Sequence, residues 1–322
     1  MKMLNLFVLP LFFLFISVFK SVGQQVPDTA WDFAIYQAAY QKGEGPVIFI
    51  DEAHNNFHTK DGGFFAFSKL LQQDGYLVKA LDKPITNADV LKGCKIMVIA
   101  NSLNAFNSGN WILPTPSAFS KEEITTIRQW VENGGSLFLI ADHMPFAGAA
   151  FELGKAFGFE FINGFAFTRE RTWPPSVFSR EDNTLGESIV VNGIRDYEKI
   201  DSVTTFTGSA FSAPKGAIPV LSFLKDHYAL LPDTAWRFNA KTPRQSLKGF
   251  QQGALLNFGK GKVAVFGEAA MFTAQIANGN FKVGINSESA PQNAQFAINL
   301  IHWLDGVKEY RGAKVKITEN PK

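Results

Sequence analysis

The sequence predicts an α/β fold in which a mainly parallel sheet is covered by helices and interrupted by a β-rich insertion. Three observations predict it. Short apolar runs alternate with stretches of helical period through the first half of the 322-residue chain. These runs lack polar–apolar alternation, as strands buried on both faces do. Residues 163–250 then break the pattern with many Pro, Gly and Ser and with runs of Thr, Val and Phe. Right-handed crossovers between the parallel strands give a flavodoxin-like layered arrangement. The length fits one such domain at 24–322 carrying an insertion or cap at about 163–250, behind a leader at 1–23.

The elements follow in order. Residues 46–50 form a strand ending at Asp51. Phe64, Phe67, Leu70 and Leu71 recur at helical spacing in 64–73, and Asp74-Gly75 stops that helix. A strand at 76–81, a short helix at 87–92 and a strand at 95–100 follow, the last ending at Asn101. After a loop at 102–119, Ser120 and Glu123 make a capping box for a helix with the apolar stripe Ile124, Ile127, Trp130 and Val131. Gly134-Gly135 ends it, and a strand at 136–141 runs into Asp142-His143. Residues 146–157 read as another amphipathic helix. Within the insertion, 203–206 and 218–224 read as short strands. Strands at 254–258 and 262–266, joined by Gly259-Lys260-Gly261, form a hairpin ending at Gly267-Glu268. A helix at 291–304 closes the chain, with Phe296, Leu300, Trp303 and Leu304 on its buried face.

The N-terminus reads as an export signal. Lys2 precedes an almost wholly apolar run at 4–19, and Ser21-Val22-Gly23 offers small residues for cleavage before Gln24. The run is shorter than the roughly 20 residues of a spanning helix, so a periplasmic or secreted protein is expected, with a retained membrane anchor as the alternative. Composition is that of a globular protein, with 46% apolar and 19% charged residues. The 32 Phe imply a bulky core or aromatic-lined grooves. A net charge of +2 gives no electrostatic footprint for nucleic acid. Cys94 is the only cysteine, so an intramolecular disulfide is excluded, and its place at a strand start marks a structural thiol.

Four of these strands end on polar residues: Asp51, Asn101, Asp142 with His143, and Glu268. Ligands of open α/β sheets bind outside the carboxyl ends of the strands. The densest local cluster is Asp51-Glu52-Ala53-His54-Asn55-Asn56-Phe57-His58. His54 and His58, four apart, share one face of a helical turn, and with His143 they suit Zn or another divalent metal. Such a metal activates water or polarises a substrate oxygen. Without one, the same groups serve as general acid and base. Asp51 and Asp142 also fit as helix caps, and His58 as a solvated loop residue. Arg169 and Arg171, beside Trp173, fit a carboxylate or sugar equally well as an ordinary ion-pair cluster. His227 and His302 stand alone, and His302 in the closing helix reads as structural. There is no Walker phosphate loop and no Gly-x-Ser-x-Gly elbow.

The segments 48–54, Gly134-Gly135-Ser136-Leu137-Phe138-Leu139-Ile140-Ala141-Asp142-His143 and Gly267-Glu268-Ala269-Ala270-Met271-Phe272 resemble the class I glutamine amidotransferase-like superfamily, in particular an exported branch of it. The resemblance covers most of 45–160 and 250–305 and implies a flavodoxin-like fold. Amidotransferases proper follow the strand matching 136–141 with a Gly-x-Cys-x-Gly elbow, where this chain has Asp142-His143-Met144-Pro145. Glutamine hydrolysis through a cysteine thioester is therefore not expected.

The function expected from these residues is a hydrolase, with or without metal, acting on a small polar or sugar-like substrate. Asp51 orients a His, His54, His58, His143 and Asp142 bind metal or activate water, and Glu268 is acid or base. Asn101, Arg169 and Arg171 contact substrate. The alternative is a non-catalytic carbohydrate- or peptide-binding module using the same cleft. A serine hydrolase built on Ser102 is a third reading, disfavoured by the missing elbow.

Overall fold

The computed structural model describes residues 25–168 and 176–312. The leader with its cleavage site, Arg169 and Arg171 lie outside the described residues. Among those described, no helix is long and apolar enough to cross a membrane.

Nine strands make the main sheet. They are β1 (Val47–Asp51), β2 (Leu77–Leu81), β3 (Cys94–Ala100), β4 (Ser136–Ile140), β5 (Glu160–Ile162), β6 (Ala210–Ser212), β7 (Ile218–Ser222), β8 (Gln251–Phe258) and β9 (Gly261–Phe266). Their spatial order is β2-β1-β3-β4-β9-β8-β6-β5, with β7 paired to β8. The ladders among β2, β1, β3, β4 and β9 are parallel. Those joining β9, β8, β7, β6 and β5 are antiparallel. The sheet is thus parallel in one half only, where a mainly parallel sheet was expected. The difference comes from the insertion, which contributes β6 and β7 to the sheet instead of standing apart as a cap.

Helices cover the parallel half on both faces. Helix α1 (Phe65–Gln73) and helix α3 (Asn293–Asp305) share one core with Ile48, Ile50, Val98, Phe138 and Phe266. Helix α2 (Lys121–Glu132) shares the other with Met97, Ile99, Leu137, Leu139 and Val265. Successive strand side chains point to opposite faces. An unbroken apolar run is therefore what a strand between two helical layers needs. The capping box of α2 forms as the sequence predicts, Ser120 Oγ accepting from Glu123 N at 3.2 Å and Glu123 Oε2 accepting from Ser120 N at 2.9 Å. The helix expected over 146–157 instead splits into two short pieces, Phe146–Ala149 and Phe151–Lys155. The one expected over 87–92 is a 3-10 turn, Ala88–Leu91.

Candidate active site

Because β1, β3, β4 and β9 run parallel, their carboxyl ends lie at one edge of the sheet. That geometry brings Asp51, Asn101, Asp142 and Glu268 to the same side of the molecule. All are buried, as are His54, His58, Ser102 and His143.

Two groups of residues separate within this edge. In the first, Asp51 Oδ2 lies 2.8 Å from His54 Nδ1, and His54 Nε2 lies 2.9 Å from Glu123 Oε1. Asn56 Nδ2 donates to Asp51 Oδ2 at 2.9 Å, and Glu123 Oε1 also accepts from Ile85 N at 3.1 Å. Burial lowers the pKa of His54, but the hydrogen bonds and charges of Asp51 and Glu123 outweigh it, and the net shift is upward. Both ring nitrogens are engaged, so His54 is an internal strut that ties the β1 loop to α2. It has no lone pair free for a metal. The sequence suggested that Asp51 orients a His, and this is His54, but it showed Glu123 only as a cap. The capping box was the available signal, since it holds that carboxylate in a fixed, half-desolvated place.

The second group surrounds Asp142. Its Oδ1 accepts from His143 N at 2.7 Å and its backbone N–H donates to Asn101 Oδ1 at 2.9 Å. Asn101 takes the left-handed conformation, φ 50°, at the end of β3. It serves here to position Asp142. Glu268 accepts from Ala270 N at 2.9 Å and Met271 N at 2.7 Å. Its carboxyl pKa is nevertheless raised well above the ordinary range, by burial and by the neighbouring Asp142 charge. Gly208, at φ 107°, makes room for this pair, since a side chain there would run into Gly267 O and Glu268 Cβ.

Two imidazoles flank the carboxylates. His143 Nδ1 lies 2.7 Å from Met144 O. A carbonyl only accepts, so Nδ1 carries the proton and Nε2 presents a lone pair. Burial holds the pKa of His143 down against the opposing charge of Asp142, which keeps the ring neutral near pH 7. His58 is pushed down to about 4, again by burial and against Asp142. Its Nδ1 is buried without a hydrogen-bond partner, and so is Ser102 Oγ. Gly63 explains how His58 is seated, since any side chain at that position would collide with Nδ1.

The metal set expected from His54, His58 and His143 does not form. Among the described residues no group of three His, Cys, Asp or Glu side chains is placed to hold an ion. The spacing argument failed because His54 and His58 lie on a loop, where a separation of four does not put two rings on one face. His302 is structural as read, Nε2 lying 2.6 Å from Asp74 Oδ2. Burial pushes the Cys94 thiol up to about 12, which leaves it no thiolate near neutrality. A cavity of about 380 Å³ lies at the opposite edge, lined by Ile189, Lys262, Trp303 and Val307 among others, away from these carboxylates.

Aromatic rings pack around His143 at this edge, and sequence reasoning missed them as site residues. Trp111 lies 5.9 Å from His143 and Trp236 4.7 Å, and Phe165 stacks on His143 at 4.4 Å. Phe165 and Trp236 come from the insertion. Its loop is pinned over the β3 loop by Leu113 N to Asp233 O and Ala235 N to Trp111 O, each 2.9 Å.

Fold and site together define a class: an α/β protein with a buried carboxylate–imidazole cluster at the carboxyl edge of its parallel strands. No protein-family model matches the chain, and no curated protein does. Among solved structures the mmIFT52 N-terminal domain shares its fold, with a TM-score of 0.55 at 16% identity over 80% of this chain and 97% of that domain. A ThuA-like protein from Bacteroides uniformis ATCC 8492 superposes at a TM-score of 0.43 and 13% identity, over 85% of this chain and 94% of that one. Cytoplasmic protein STM3548 from Salmonella typhimurium does so at 0.45 and 15%, over 81% and 99%. At those scores the last two add nothing to the assignment of fold.

Proposed function

We propose that this protein is an acid–base enzyme of the hydrolase type that acts on a small polar substrate, on an amidotransferase-like fold without the cysteine chemistry. The strand order β2-β1-β3-β4-β9 supports the flavodoxin-like part of this reading, because it is the order 2-1-3-4-5 of that fold. Export rests on the leader read in the sequence.

The observation that carries the reaction class is the Asp142–Glu268 pair beside His143. Burial and the neighbouring Asp142 charge both favour the protonated form of the Glu268 carboxyl. Asp142 is the more exposed member, and its charge acts on both imidazoles. His143 Nε2 is then placed to take a proton from water or a substrate hydroxyl, and the carboxyl pair supplies one to the leaving group. The metal-assisted version is set aside because both His54 nitrogens are engaged and, among the described residues, no three ligands are placed to hold an ion.

The test is release of nitrophenolate from p-nitrophenyl acetate and from p-nitrophenyl glycosides. General acid–base groups contribute about 100-fold or more, so Glu268→Gln and His143→Ala are each expected to lose at least that much turnover while remaining folded. Release by neither variant being impaired, or no release by the unmodified protein from any of these substrates, overturns the reading.

A further inference from the structure

The rings around the Asp142 edge do more than fill space. Phe57 is 48% and Trp236 51% exposed, although each is in ring contact with buried neighbours. Phe57 meets Trp111 at 5.6 Å, and Trp111 reaches His143, which meets Trp236. Phe238 continues the line against Phe165 at 5.1 Å. The result is a continuous aromatic wall, contributed by three separate loops, with half-exposed rings at Phe57 and Trp236. A solitary exposed ring is ordinary, but a connected run beside buried titratable groups is not.

Trp236 adds a second observation. Its backbone sits in the left-handed region at φ 65°, where a bulky side chain is a genuine outlier. The contacts between the β3 loop and the insertion loop hold it there. Strain of this kind persists where the surroundings over-determine it, and it concentrates at ligand-binding positions. Here it holds the indole beside His143 with half its surface open to solvent.

A floor of carboxylate, imidazole and amide beside a wall of half-exposed rings calls for a ligand with two characters. It needs flat C–H surface to lie on the rings and hydroxyls along its edge to meet Asp142 and His143. Rings of this type supply apolar contact at small entropic cost, and a few polar groups fix orientation. We propose that the wall formed by Phe57, Trp111 and Trp236 is a saccharide subsite that seats one pyranose ring of the substrate over Asp142 and His143. The proposal rests on the acid–base reading of that edge, and it gives the insertion a role as the specificity element.

Saturation-transfer NMR with methyl β-D-glucopyranoside, methyl β-D-galactopyranoside and methyl α-D-mannopyranoside tests it. Cyclohexanol, an apolar ring without the hydroxyl edge, and sorbitol, a polyol without a ring face, are the controls. At least one glycoside is expected to receive saturation on its ring C–H face while both controls do not. Trp236→Ala and Phe57→Ala are each expected to weaken that binding about tenfold or more, and Trp303→Phe, on the far side of the sheet, to leave it unchanged. Binding of no glycoside by a protein that still releases nitrophenolate overturns the saccharide subsite and leaves the acid–base reading standing. Equal signal from cyclohexanol, or glycoside binding indifferent to Trp236 and Phe57, also overturns it.

Discussion

At the scale of single residues, the three histidines of this edge behave differently because their neighbours differ. His54 has a folded-state pKa above its ordinary value of 6.5. Its stabilising contribution is therefore fully present below pH 6.5 and is lost as pH rises through the folded value. Thermal melts are expected to show Tm falling across that alkaline window, and His54→Gln, less stable throughout, to lack that fall. His58 has the opposite sign. Its folded value is near 4 against 6.5 when free, so the unfolded chain gains the proton first as pH falls. Stability is expected to drop by a few kcal/mol between pH 6.5 and 4, and His58→Phe to remove that part of the slope in chemical denaturation. The sequence showed Asp51, Asp142, His143 and Glu268 as a set because strand ends are readable from where apolar runs stop. It could not show that His54 is saturated. Its second partner, Glu123, lies 69 positions away and meets it only through the packing of α2.

At the scale of elements, α2 shows how a local signal acquires a distant use. Ser120→Ala removes one cap bond and is expected to cost about 1 kcal/mol in urea unfolding. Glu123→Ala is expected to cost roughly 3 kcal/mol, because it leaves His54 Nε2, Ile85 N and Ser120 N without partners, each worth about 1 kcal/mol. Equal losses from the two substitutions would contradict the strut. Boundaries of α1, α2 and α3 were legible from periodicity and caps. The insertion was less so. Its strands are three to five residues long, and which of them join the main sheet depends on pairing with β8, a long-range fact that short runs of Thr, Val and Phe do not encode. For the same reason Trp236 and Phe165 gave no sign in the sequence that they would arrive beside His143.

At the scale of the whole molecule, a two-sided core fixes the edge on which the site stands. Phe138 sits at the centre of β4, fully buried, against Phe67, Phe266 and Phe272. Phe138→Ala is expected to cost about 3–5 kcal/mol, read as a lowered denaturation midpoint. Large rings, among them Phe64, Phe67, Phe272 and Phe296, fill the space between the sheet, α1 and α3 on this face. The central claim concerns charge in that setting: burial and the neighbouring Asp142 charge favour the protonated Glu268 carboxyl. Carboxyl-carbon NMR of the folded protein labelled at Asp and Glu, titrated from acid to alkaline pH, measures this directly. One protonated side-chain carboxyl persisting at pH 7 and absent from Glu268→Gln is the result the account predicts. Full ionisation of every Asp and Glu by pH 6 would contradict it.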